Sequence, residues 1–130
     1  MSNFKYDVAV IGLGYVGLPL AIQAIDSNLK VYGYDIDEEK VNSYNLGKSS
    51  IEDISDIELQ KSLEKGLFLS SDPKYLADSE TIVISVPTPL TDYQPDLSYV
   101  RSAAETIANN ITKNQIIILE STTYPGTTIE

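Results

Sequence analysis

Three glycines near the start of the chain, Gly12, Gly14 and Gly17, stand two and three residues apart in the run VIGLGYVGLPLA. In that spacing each can do a separate job for a phosphate-bearing ligand. The first permits a tight turn, the second lets a pyrophosphate approach bare backbone, and the third lets a helix lie close to a sheet. The free N–H groups at the helix start then face the anion. Glycines are common at strand ends, so the pattern alone is weak; its context, after a β-branched run and before an apolar one, strengthens it. Asp35 is the second half of the signal. It lies about twenty residues past the glycines, where an acid accepts hydrogen bonds from an adenosine ribose. The same carboxylate repels a 2′-phosphate. Asp37, Glu38 and Glu39 add to that repulsion, and no Arg follows nearby. The expected ligand is NAD rather than NADP. Helix capping alone would explain Asp37 but leaves the position of Asp35 to chance.

Lys40 comes five residues after Asp35. It either reaches back toward the adenosine-side ribose or phosphate, or pairs in solvent with a neighbouring Glu; spacing does not choose. Two further segments carry polar groups at expected strand ends. SVPTPL, Ser85 to Leu90, sets Thr88 between two prolines. ESTTYPGTT, Glu120 to Thr128, offers Glu120, Ser121, Thr122 and Thr123 before a Pro-Gly turn. Threonines there are often turn chemistry, but in an open α/β sheet the ligand sits at the carboxyl ends of the strands.

These segments need strands to end on. Tyr6–Ile11 reads as a strand, and 16–25 as a helix packed on a sheet, with Pro19 near the edge of its first turn. Lys30–Tyr34 is a second strand. Asp37 is an N-cap for a helix through about Leu46. Ser55 and Glu58 fit a capping box, with Ile54 stapled onto Leu59 and the helix stopping at Gly66. Leu67–Leu69 is a short third strand, and Asp72-Pro73 starts one or two helical turns. Thr81–Val86 is continuously apolar, which predicts a central parallel strand covered on both faces. Asp96 is expected to cap a helix whose apolar stripe runs from Leu97 through Val100, Ala103, Ala104, Ile107 and Ala108 to Ile111. Gln115–Leu119 is a fifth strand. The alternation predicts an α/β fold, a Rossmann-like doubly wound parallel sheet of about five to six strands with helices on both faces.

Composition narrows the chemistry. The length of 130 residues suits one domain. Cysteine and histidine are both absent. That removes disulfides, thiolate metal sites and a cysteine nucleophile, and strips zinc and Ser-His chemistry of their usual residues, so no metal is expected. Nine Lys/Arg against nineteen Asp/Glu, a net charge of −10, leave little from which to build a nucleic-acid patch. MSNFKYDVAVIG does not read as a signal peptide, and no apolar run approaches the ~20 residues of a membrane span. A cytoplasmic protein with no membrane partner is expected.

The runs VAVIGLGYVGLPLA, GYDIDEEKVNSYNLGKSSIED, VPTPLTDYQPDLSYV and LESTTYPGTT, in this order, resemble the N-terminal part of UDP-sugar 6-dehydrogenases across essentially the whole chain. The Tyr-Val-Gly-Leu-Pro-Leu-Ala continuation separates them from 6-phosphogluconate and 3-hydroxyacid dehydrogenases, which share only the glycine pattern. PTPL and ESTTYPGTT look most like the UDP-N-acetylglucosamine branch; the UDP-glucose branch more often has lysine where Glu120 stands. The resemblance implies oxidation of the C6 alcohol of a UDP-hexose to a carboxylate with two NAD. UDP-glucose and UDP-N-acetylmannosamine are the alternative substrates. It implies that Gly12, Leu13, Gly14, Tyr15 and Val16 hold the pyrophosphate. Asp35 and Ile36, with Lys40 nearby, would take the adenosine ribose, and Val86, Pro87, Thr88 and Ser121 line the path toward the nicotinamide. Thr122 would face that ring and help order the catalytic water.

Family members run to several hundred residues, with a central dimerising helix and a C-terminal UDP-sugar domain. Their cysteine nucleophile, lysine and asparagine have no counterpart here. Residues 1–130 are therefore expected to be the NAD-binding domain alone, which binds cofactor, does not catalyse by itself, and self-associates through an uncovered sheet edge or helix-docking face. A stand-alone NAD-sensing module shares the glycine loop but has no use for SVPTPL and ESTTYPGTT beside a nicotinamide. An S-adenosylmethionine methyltransferase is disfavoured by the G-x-x-G entry into a tightly packed helix.

Overall fold

In the computed structural model, the described residues are 4–52, 54–86, 90–91, 94–95, 97–111 and 114–120. Five parallel strands form one sheet in the order β3-β2-β1-β4-β7. They are β1 (Tyr6–Ile11), β2 (Val31–Tyr34), β3 (Phe68–Ser70), β4 (Ser79–Ile84) and β7 (Ile116–Leu119). A two-residue antiparallel pair, β5 (Leu90–Thr91) with β6 (Gln94–Pro95), sits outside that sheet and has no strand signal in the sequence.

One face of the sheet carries α1 (Gly17–Asp26), α2 (Glu38–Asn45) and α3 (Asp56–Glu64). Leu18, Ala21, Ile22 and Ile25 of α1 pack with Val10, Val31 and Leu69 of the strands; Val41, Tyr44 and Leu59 close the layer. The local start signals work as expected. Asp37 accepts the Lys40 N–H, and Ser55 and Glu58 make the reciprocal capping box. Asp72 accepts the Lys74 N–H at the start of a 3-10 helix, Pro73–Asp78. That 3-10 helix and α4 (Ser98–Ala108) cover the opposite face, where Leu76, Ala103 and Ile107 meet Ala9, Ile82 and Ile84. Tyr6, Tyr32, Phe68 and Tyr75 form a ring cluster beside them.

Three expectations need correction. β4 ends at Ile84 and is not covered on both faces: Ile82 and Ile84 are buried, but Thr81 and Val83 are only half-buried. The helices α1 to α3 pack over β1, β2 and β3 and leave that side of β4 thinly covered. The stripe of α4 is narrower than its spacing suggests. Ala103 and Ile107 are buried, whereas Leu97, Ala104, Ala108 and Ile111 are exposed, because the helix touches the sheet along one line only. Its N-cap is Leu97, with no side-chain capping bond; Asp96 lies outside the described residues. Among the described residues no helix is long and apolar enough to cross a membrane.

Candidate functional site

The residue after each of β1, β2, β4 and β7 donates its N–H to the last carbonyl of a neighbouring strand. Asp35 donates to Ser70 at 3.4 Å, Gly12 to Tyr34 at 2.8 Å, Ser85 to Ile11 at 2.7 Å and Glu120 to Ile84 at 2.9 Å. These bonds line up Ser70, Asp35, Gly12, Ser85 and Glu120 across the carboxyl edge of the sheet. The chain runs from β1 outward to β2 and β3, then returns to the other side of β1 as β4. The strand order therefore reverses between β1 and β4, where open α/β sheets bind their ligands.

The glycine loop lies at that point, and its glycines have different reasons to be glycine. Gly12 has φ +96°, and a Cβ there would press on the Ser85 carbonyl and come within 3.1 Å of Val86 Cγ1. Val86 thus lies against the glycine loop. A Cβ on Gly17 would overlap the Gly12 carbonyl group, 2.8 Å from its carbon. Gly14 differs from both. Nothing lies within 4 Å of where its Cβ would stand, and its φ is not positive. Neither the packing nor the backbone of the protein demands glycine at this position. Its N–H has no acceptor among the described residues. Tyr15, 75% exposed, and Ile36, 73% exposed, follow Gly14 and Asp35 and present large apolar surfaces to solvent, as does Val16.

Asp35 is buried, and much of its carboxylate is already engaged. Oδ2 accepts the Leu13 N–H at 2.8 Å and lies 3.5 Å from the Lys40 ammonium; Oδ1 accepts the Asp37 N–H at 2.9 Å. A carboxylate has about four lone-pair sites, so room for a further donor remains. Lys40 pairs with Asp35, not with an adjacent Glu, among the described residues. The sequence reading gave Asp35 a ligand-binding role only. The structure adds a brace between the end of β2 and the glycine loop.

Two further polar groups escaped the sequence reading. Tyr44, fully buried in α2, donates its hydroxyl to the Leu13 carbonyl at 2.8 Å and meets Ser50 Oγ at 3.0 Å. Its only sequence signal is a polar-tipped ring at a core position, three residues after Val41. Ser85 Oγ is buried with no partner among the described residues, next to Gly12. Pro87, Thr88, Ser121 and Thr122 lie outside the described residues. Among the described residues no group of three or more His, Cys, Asp or Glu is placed to hold a metal.

Residues 6–130 match the model of the UDP-glucose/GDP-mannose dehydrogenase family, NAD binding domain. The chain is 41% identical over 123 residues to the UDP-N-acetyl-D-mannosamine dehydrogenase of Pyrococcus horikoshii, covering 93% of this chain and 29% of that protein. It is 37% identical over 131 residues to the UDP-N-acetyl-D-glucosamine 6-dehydrogenase of Pseudomonas aeruginosa, covering 100% and 30%. The solved structure of the Pyrococcus horikoshii UDP-D-ManNAc dehydrogenase superposes with a TM-score of 0.84 at 40% identity, over 94% of this chain and 30% of that one. The chain thus spans about 30% of the length of these relatives. A reversed strand order, a glycine loop at the reversal and an acid at the end of β2 agree with that match: the chain belongs to the UDP-glucose/GDP-mannose dehydrogenase family and carries its NAD-binding domain.

Proposed function

We propose that this chain supplies the cofactor half of a dehydrogenase acting on a UDP-N-acetylhexosamine, oxidising its C6 alcohol to the carboxylate. Support for the sugar comes from the relatives, whose names divide between N-acetylglucosamine and N-acetylmannosamine. UDP-N-acetylglucosamine, favoured by PTPL and ESTTYPGTT, is the first substrate to assay. NAD bound here would accept the hydride. The chain's own residues hold and orient it: the Gly14 and Tyr15 backbone at the pyrophosphate, Asp35 with Ile36 and Lys40 at the adenosine ribose, and Val86, Pro87 and Thr88 along the path to the nicotinamide. Ser121 and Thr122 would serve the reacting end, Thr122 by positioning the water. With no cysteine to carry the family's covalent step, residues 1–130 bind cofactor and form no product alone.

The observation that carries this reading is the open space at Gly14. Gly14→Ala leaves the fold intact and puts a methyl where the pyrophosphate must approach. An overpacking cost of ~1–3 kcal/mol would weaken NAD about 5- to 150-fold in calorimetry. Asp35→Ala should also lose affinity, while Glu64→Ala on the exposed end of α3 should not. Unchanged affinity in Gly14→Ala would sink the loop assignment. NADH formation at 340 nm by the chain with a UDP-sugar would sink the division of labour. Ile116 to Leu119, exposed at the edge of the described sheet, support self-association; a monomer by light scattering at high concentration would oppose it.

A further inference from the structure

Leu13, between the first two glycines, is held at three points. Its N–H is taken by Asp35 and its carbonyl by the Tyr44 hydroxyl, each at 2.8 Å. Its side chain is fully buried, 3.1 Å from where a Cβ on Gly33 would stand. A carbonyl cannot donate, so the single Tyr44 proton goes to Leu13, and Ser50 must donate to Tyr44. The Leu13 carbonyl and the Gly14 N–H belong to one planar peptide unit, and no described peptide bond is cis. In a trans unit the two groups point in opposite directions. A carbonyl tied inward to α2 therefore turns the Gly14 N–H away from α2, and no acceptor among the described residues meets it.

We propose that Tyr44 is a positioning residue for the cofactor: by gripping the Leu13 carbonyl it fixes the Leu13–Gly14 peptide plane and aims the Gly14 N–H at the nucleotide diphosphate. The proposal rests on the reading of the glycine loop as the pyrophosphate site. Two effects follow from the grip. It removes the alternative in which the peptide rotates and offers the phosphate a carbonyl oxygen. It also polarises the peptide unit, since a hydrogen bond at the carbonyl makes the N–H on the same unit a stronger donor. A hydroxyl that merely satisfied a buried carbonyl would matter for folding and not for the ligand.

Tyr44→Phe separates these roles, because it keeps the ring in the core and removes only the hydroxyl. At a temperature well below the variant's own melting point, NAD and ADP should bind about fivefold more weakly, the scale of one lost hydrogen bond. Adenosine, which has no phosphate, should keep its affinity. Unchanged NAD affinity overturns the proposal, and so does an equal loss for adenosine, which would mean general damage to the site. The wild-type chain gives a second measurement that survives a misfolded variant. Its Gly14 amide resonance should move on adding NAD or ADP and stay put with adenosine. A Gly14 amide that ignores NAD while neighbouring loop amides respond also overturns the role of Tyr44. No response to NAD anywhere in the wild-type chain would remove the nucleotide reading itself, and this proposal with it.

Discussion

On one side of β1, every residue of β2 is buried, enclosed by α1 and α3 on one face and by the tyrosine cluster on the other. On the other side, beyond β4, all four residues of β7 are exposed. The two strands are similar in length and both apolar, so the difference comes from what is packed over them. The β1–β2–β3 half has three helices on one face and ring stacking on the other, and it holds Asp35, Leu13 and Tyr44 in fixed hydrogen bonds. In the β4–β7 half, α4 touches the sheet through Ala103 and Ile107. The first half therefore carries most of the described core and the most rigidly held part of the site. Substitutions of similar size should then cost very different amounts in the two halves.

The largest effect is expected at Gly17, where the third glycine lets α1 lie against the turn. A Cβ there would overlap the Gly12 carbonyl, and backbone can give way only by moving the whole helix start. Gly17→Ala should destabilise the fold by ~3 kcal/mol or more, the upper end of overpacking costs. Thermal unfolding should show a clear fall in Tm, while Gly14→Ala should melt close to wild type. Two glycines three residues apart would thus separate fold from ligand. If Gly14→Ala melted as low as Gly17→Ala, the open space at Gly14 would not be the reason for its glycine.

Next in size is a pair of apolar truncations. Leu18 in α1 is fully buried, and Leu18→Ala should cost ~2–5 kcal/mol. Ile117 in β7 is 45% exposed, and Ile117→Ala should cost under about 1 kcal/mol, because much of its area is already in water. Urea unfolding of the two variants measures the ratio. Equal losses would mean that β7 is covered in solution, by a second copy or otherwise.

This contrast also marks what was legible in the sequence. Signals acting over two or three residues were readable: Asp37 on Lys40, Ser55 with Glu58, and Asp72 on Lys74. The glycine spacing and Asp35 were readable because they are local chemistry at strand ends. The bonds of Leu13 to Asp35 and to Tyr44 span 22 and 31 residues, and only the packed sheet brings those groups together. The same limit applied to coverage. TIVISV and the α4 stripe record where apolar residues fall, not whether another element lies over them.

A third test uses alkali on the first half. Burial pushes the phenols of Tyr32, Tyr34 and Tyr6 above their ordinary value of 10.0, Tyr32 most strongly. In the unfolded chain these groups ionise near pH ~10. Above that pH the unfolded state sheds protons that the folded state keeps, so stability is fully present below about pH 10 and falls as pH rises further. Urea unfolding between about pH 9 and about pH 11 should show this decline. Tyr34→Phe should make it shallower by removing one of the buried phenols. A stability that stayed flat over that range would mean that the tyrosine layer admits water and is no better sealed than β7.

The smallest effects separate a lysine at the site from a lysine on the surface. Lys65 lies 2.8 Å from Asp26, but both side chains are about half exposed; Lys40 lies 3.5 Å from Asp35, which is only 10% exposed. Distance favours the first pair and burial the second. Water and salt screen exposed charges strongly, so Lys65→Gln should change stability by close to zero, whereas Lys40→Gln should lose up to ~1 kcal/mol. The ligand readout is sharper. Lys40 pairs with the Asp35 carboxylate proposed to take the ribose, so Lys40→Gln should weaken NAD about two- to fivefold at low salt, and by less as salt rises. Lys65→Gln should leave NAD affinity unchanged at any salt. Matching behaviour of the two variants would place Lys40 in ordinary surface pairing, and the anchored part of the site would then consist of Asp35, Leu13 and Tyr44 without it.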